Sequence, residues 1–118
     1  MSYKLQNYLR RRRKHANLFQ DEVAFLLGCK SGTKISRYER FNCNPKLETA
    51  FAYEVVFGTP CRELFAGVFQ KVEEKIKKRA QLLARRLGEA KQDRITTRKL
   101  EMLKTITSDR EVELSKNS

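Results

Sequence analysis

Thr33, Ser36 and Arg37 stand three and four residues apart, so on a helix they share one face. Side chains of these types can read the edges of stacked bases. A guanidinium can hold guanine O6 and N7 together, a contact worth about 1–3 kcal/mol of discrimination. A threonine can meet a thymine methyl, and a serine hydroxyl bonds to any base edge. Arg37 is the strongest reader of the three; the plainer alternative is a surface arginine paired with Glu39 or with a phosphate. Lys30, Ser31, Lys34, Arg40, Asn42 and Asn44 flank the triplet and are the expected phosphate ligands, which fix register without reading sequence. For the lysines, a plain solvated charge is the competing reading. Gly32 is expected to let the backbone approach a bound duplex closely.

Such readers need a short helix anchored from behind, with a polar outer face. Ile35 and Tyr38 form a narrow apolar stripe on a helix expected over about 32–40, with Ser31 as its N-cap. A tight turn, Lys30-Ser31-Gly32, connects it to a preceding helix over 20–28. That helix carries Val23, Ala24, Leu26 and Leu27 on its apolar face and stops at Gly28. Ala24 is small enough to let the two helices cross closely. Upstream, Leu5, Tyr8 and Leu9 at helical spacing predict a first helix over 3–15, ended by Ala16-Asn17. Most of its cationic run, Arg10 to Lys14, reads as a solvated face. Downstream, Leu47, Ala50, Phe51, Val55 and Phe57 are available to the core from a helix over 47–57. Thr59-Pro60 reads as the cap and first position of a fifth helix. No proline and, apart from Gly67, no glycine follows before Gly88, so that helix is expected to run to about Ala90, with another over 95–106. No strand signal, repeat or Pro-rich linker is present.

Two short helices about a tight turn make a helix-turn-helix, and the resemblance then becomes specific. LFQDEVAFLLGCKSGTKISRYERFNCNPKLETAFAYEVVFGTPCRELF, within residues 9–65, resembles the Cro- and phage-repressor-type helix-turn-helix family, often called XRE. Gln20, Ala24, Gly28, Ile35, Ser36, Arg37, Glu39, Asn44-Pro45, Leu47-Glu48-Thr49, Gly58 and Glu63-Leu64-Phe65 carry the likeness, in order and nearly without gaps. The resemblance implies an all-α, five-helix, lambda-repressor-like bundle. It implies a dimeric transcriptional regulator of bacterial or phage type that binds double-stranded DNA by sequence, with the 32–40 helix in the major groove. It makes Gln20 a clamp on the DNA backbone, where a helix N-terminus also favours an anion. It implies a partly buried ion pair between Arg13 and Glu39 that positions the reading helix.

This chain also departs from the family pattern. The step from Gly28 to Ile35 is one residue longer than usual, so the first bases read should shift. Phe19 stands where the family prefers Ser or Thr, so the second helix lacks a side-chain cap worth about 0.5–2 kcal/mol. Phe41 replaces the glycine that usually follows the reading helix.

Charge narrows the classes. The 118 residues hold 26 Lys plus Arg against 14 Asp plus Glu, a net charge of +12. That excess repels itself, so a polyanionic partner is expected. The first residues lack the apolar run of a signal peptide, and no stretch approaches the ~18 apolar residues of a membrane span. Cys29, Cys43 and Cys61 are odd in number and scattered, which fits free thiols in a reducing compartment; the resemblance to DNA-binding regulators implies a cytoplasmic, nucleoid-associated location. With one histidine, His15, and no close cysteine pair, neither a zinc site nor another cofactor is implied. No nucleophile partners His15 and no Gly-rich phosphate loop occurs, which argues against an enzyme. RNA binding is weaker than DNA binding, because the aromatics form no stacking platform.

The expected organisation is a DNA-binding domain over 1–69, an amphipathic helical extension over 70–107 and a disordered tail over 108–118. In the extension Val72, Ile76, Ala80, Leu83, Leu87 and Ala90 recur at helical spacing. The stripe is too long for a small bundle to cover. Val72, Ile76, Leu83 and Leu87 are therefore the expected homodimer seam, and Leu100, Leu103 and Ile106 can cap the same surface. The alternatives are packing against the chain's own bundle, or an antitoxin-like module gripping a protein partner. The basic face of this helix is interspersed with acids, which argues against a membrane surface.

Overall fold

A computed structural model of the chain describes residues 4–108. Among them are seven helices and no strand, so the fold is all-α. The helices are α1 (Leu9–His15), α2 (Gln20–Leu27), α3 (Gly32–Glu39), α4 (Leu47–Phe57), α5 (Cys61–Leu64), α6 (Ala66–Gly88) and α7 (Arg94–Thr107). The described residues divide into two compact units with their boundary after Gln70, and that boundary falls within α6. No helix among the described residues is long and apolar enough to cross a membrane.

In the first unit, α1 to α5 surround a core of Leu9, Val23, Ala24, Ile35, Tyr38, Tyr53 and Leu64. Tyr53 sits at its centre. Its ring stacks on Phe57 at 6.0 Å and meets the edges of Tyr38 at 6.3 Å and Phe65 at 6.5 Å. Of the α4 residues expected to be available to the core, Ala50 and Phe57 are half-buried, but Leu47, Phe51 and Val55 are 70%, 53% and 82% exposed. The α4 sequence is apolar all round, so periodicity could not select the buried face. Leu26 of α2 is likewise exposed.

The first helix starts at Leu9, later than its apolar spacing predicted. Backbone bonds to distant segments compete with helix formation upstream. Tyr8 N–H donates to the Leu64 carbonyl, and the Leu5 and Gln6 carbonyls accept from Gly67 and Val68. Asn7 is buried at this junction. Its Oδ1 accepts from Leu9 N at 3.1 Å and its Nδ2 donates to the Tyr38 carbonyl at 2.9 Å. A methyl on Gly67 would collide with the Leu5 carbonyl, so glycine is required there by close approach rather than by a turn.

The single long helix expected after Thr59-Pro60 is two. Phe65 leaves the helical region, φ −115° and ψ 41°, and separates α5 from α6. Its ring packs with the Tyr53 cluster. Thr59 does not cap α5; its hydroxyl donates back to the Phe57 carbonyl at 3.2 Å. Glu54 Oε1 instead accepts from Cys61 N at 2.9 Å.

In the second unit, α6 and α7 bury Ala80, Thr96 and Leu103. Ile76, Leu83, Leu103 and Ile106 line one hollow of about 370 Å3. Of the expected seam, Leu87 is half-buried, while Val72, Ile76 and Leu83 remain about half exposed, at 51%, 48% and 45%. Ala90 lies beyond the end of α6 and is exposed. Of the expected tail, residues 109–118 lie outside the described residues. Ser108 closes α7, donating its N–H to the Lys104 carbonyl.

Asp93 starts α7. Its carboxylate accepts from Thr96 N at 2.7 Å, and this N–H holds the carboxyl below its ordinary range. A depressed carboxyl stabilises the fold above its unfolded pKa of about 3.9. That contribution is lost as pH falls through the lower folded value. The protection factor of the Thr96 amide, its exchange rate relative to the unfolded chain at the same pH, should therefore fall on acidification below about pH 4. Asp93→Ala should show the lower protection already at neutral pH and remove the acid response. An unchanged acid response in Asp93→Ala would assign it to another group.

Candidate nucleic-acid interface

The 32–40 segment is a helix clamped from one side. Ile35 is 0% exposed and Tyr38 6%, while Thr33, Lys34 and Arg37 face solvent and Ser36 is half-buried. The Arg37 side chain has no partner among the described residues. Its alternative pairing with Glu39 does not occur, because Glu39 belongs to Arg13.

That pair is bidentate. Arg13 Nε lies 2.6 Å from Glu39 Oε2, and Nη2 lies 3.0 Å from Oε1. Side-chain exposure is 12% for Arg13 and 3% for Glu39. Arg13 Nη1 also donates to the Leu18 carbonyl at 3.0 Å, and hydrogen bonding to Glu39 raises the Arg13 pKa above its ordinary value. The Gln20 amide donates to Glu39 Oε1 at 3.2 Å. The carboxylate therefore ties α1 and the first residue of α2 to the end of α3, and Arg13 extends the tie to the α1–α2 turn. Gln20 is oriented by this network, with its second amide hydrogen left for another acceptor.

The start of α3 is held twice. Ser31 Oγ accepts from Thr33 N at 3.4 Å, and Asp21 Oδ1 accepts from Gly32 N at 2.9 Å. Gly32 is buried against α2, where an added Cβ would lie 2.7 Å from Asp21 Oδ1 and 3.0 Å from Gln20 Cβ. The glycine thus serves the α2–α3 contact, not an approach of the backbone to an outside ligand. Asp21 went unnoticed in the sequence because its partner is eleven residues away and is a backbone N–H.

Lys30, Ser31, Lys34, Arg40, Asn42 and Asn44 are all exposed and lie before, along or after α3. Arg40 Nε donates to the Ser36 carbonyl at 3.4 Å. Phe41 adopts φ 65°, the left-handed conformation a glycine takes readily, so the exit from α3 keeps a glycine-like path at a cost of about 1–2 kcal/mol. At the start of α2 no side chain of Phe19 caps the helix; Glu22 Oε1 accepts from Phe19 N at 2.8 Å instead. Asn17 and Gly28, which end α1 and α2, adopt φ 60° and 75°.

Cys29 and Cys61 are half-buried free thiols, and Cys43 is an exposed one. Burial pushes the Cys61 thiol above its ordinary pKa, which makes it a poor nucleophile. No group of three or more His, Cys, Asp or Glu among the described residues could hold a metal ion. No protein-family model, curated protein or solved structure matches the chain.

Proposed function

We propose that the chain is a sequence-specific DNA-binding transcriptional regulator of the XRE helix-turn-helix type, with α2 and α3 as its helix-turn-helix within a five-helix, lambda-repressor-like bundle. It acts in the cytoplasm at the nucleoid and carries out no catalysis. The observation that carries this reading is the two-sided character of α3: Ile35 and Tyr38 fasten one side, and Thr33, Ser36 and Arg37 lie on the other. A helix so held fits a major groove about 12 Å wide. Gln20, Lys30, Ser31, Lys34, Arg40, Asn42 and Asn44 supply phosphate contacts around it. The half-exposed Val72, Ile76 and Leu83 of α6 favour a homodimer through the second unit, which would present two reading helices to a two-fold symmetric site. The same exposed apolar residues are the surface that the alternative, a protein partner of antitoxin type, would use.

Selection of bound duplexes from a random library tests the reading. A two-fold symmetric consensus is expected, and recovery of unrelated sequences would overturn it. Arg37→Ala should then cost about 1–3 kcal/mol on the selected duplex and relax preference at one base pair per half-site. Equal losses on selected and scrambled duplex would remove Arg37 from base reading.

A further inference from the structure

Between α1 and the C-terminal half of α3 lies a groove of about 890 Å3. Leu5, Tyr8 and Phe41 contribute apolar surface to it, and Arg10, Arg11, Lys14 and Arg40 also line it. The only carboxylate in its lining is Glu39, which Arg13 already neutralises. The groove therefore attracts anions without an internal counter-charge. Arg11 is partly committed, its guanidinium lying 5.3 Å from the Tyr8 ring centroid. The side chains of Arg10 and Lys14 are exposed and make no hydrogen bond or ion pair among the described residues. They stand four apart on α1, hence on one face and about 5–6 Å from each other at Cβ. Ser36 of α3 and Arg40, the residue that closes it, also line the groove about one turn apart, so it continues directly from the face that carries Thr33 and Arg37.

We propose that this groove seats the sugar-phosphate backbone of the bound duplex, with Arg10 and Lys14 as phosphate ligands beside Arg40. The proposal rests on the DNA-binding reading and extends the contact surface onto α1, whose cationic run otherwise reads as plain solvated charge. The chemistry favours a nucleic-acid strand over a small anion. The groove is near the upper end of small-molecule sites, about 300–1,000 Å3, so one phosphate or carboxylate would leave most of it unfilled. A strand offers what the lining can use: deoxyribose against Leu5, Tyr8 and Phe41, and repeated charges for cations on two helices. Contacts of this kind set affinity and register without selecting bases.

The test uses the full chain, the duplex selected from the library and a scrambled duplex of equal length. Both substituted side chains are exposed, and the circular dichroism spectrum and thermal midpoint of Arg10→Ala/Lys14→Ala should match the parent. The double variant should weaken binding to both duplexes by the same factor. Its log–log salt slope should be shallower by about 1.8, two contacts at about 0.9 each, so its deficit should shrink about tenfold between 50 and 200 mM salt. If affinity and salt slope are unchanged while the parent still prefers the selected duplex, the groove is not a backbone seat and the DNA-binding reading stands. If the deficit falls on the selected duplex alone, Arg10 and Lys14 read bases and the proposal is equally overturned. If the parent binds neither duplex, both readings fall together.

Discussion

Glu39→Ala is expected to lower the unfolding free energy by about 3–5 kcal/mol, measured by urea denaturation at neutral pH. The size follows from burial and from what is left behind. Glu39 is 3% exposed and accepts from two Arg13 nitrogens and the Gln20 amide. Removing it strands the Arg13 guanidinium, itself only 12% exposed, with the Leu18 carbonyl as its remaining partner. A buried cation without its counter-ion costs far more than the lost hydrogen bonds. The double variant Arg13→Met/Glu39→Leu removes both charges together and should recover most of the loss, because well-packed apolar replacements of a buried pair are often neutral. A single-variant loss below about 1 kcal/mol, in the range of exposed ion pairs, would show that solvent reaches the pair freely.

The same network separates fold from recognition. The Arg13–Glu39 pair fixes where α3 ends relative to α1, and its third partner, Gln20, begins α2. On the proposed DNA-binding reading, variants at the pair should therefore disturb binding through the position of α3, whereas Arg37→Ala should leave stability near the parent value. Measuring both quantities for each variant distinguishes a residue that touches the duplex from one that holds such a residue in place.

What the sequence made legible was local. Gly28 ends α2 in the left-handed conformation and Ser31 caps α3, both from turn and capping chemistry that acts within a few residues. The α3 anchors, Ile35 and Tyr38, were readable because the rest of that helix is polar, so two apolar positions suffice to mark its inner side. In α6 a stripe along one face was equally plain. It did not say which of its residues α7 would accompany into burial. Ala80 is buried and Val72 is not, and Ala80 lines the same hollow as Leu103 and Ile106 of α7.

The unread features all depend on distant partners. Asp21 reaches the N–H of Gly32, Asn7 reaches the Tyr38 carbonyl, and Gly67 is pressed against Leu5. None of these leaves a periodic trace. The early helix failed for the same reason: Leu5, Tyr8 and Leu9 keep helical spacing, yet backbone groups at Leu5, Gln6 and Tyr8 bond to Leu64, Gly67 and Val68 instead. The groove beside α1 was likewise invisible. Its lining comes from segments far apart in sequence, and a run of cations on one helix does not reveal that Leu5 and Phe41 stand next to it.

Tyr53 supplies the second large effect. Tyr53→Ala should cost about 3–5 kcal/mol, the range for truncating a buried aromatic, because it removes the ring that joins Tyr38, Phe57 and Phe65. Tyr53→Phe keeps that ring and should act in the opposite direction. The hydroxyl is buried and has no hydrogen-bond partner among the described residues, and an unsatisfied buried polar group costs about 1–3 kcal/mol. Phenylalanine should therefore match or exceed the parent in thermal midpoint. The alkaline response provides an independent check. Burial, then the nearby Glu39 charge, pushes the Tyr53 phenol above its ordinary value. A raised folded pKa means that stability is intact below the unfolded value of about 10 and declines as pH rises beyond it. Tyr53→Phe should weaken this alkaline decline, leaving the smaller shares from Tyr38 and Cys61, which burial also raises. A Tyr53→Phe protein less stable than the parent, with its alkaline limb unmoved, would mean that the hydroxyl is satisfied in solution and that the ring cluster does not isolate it.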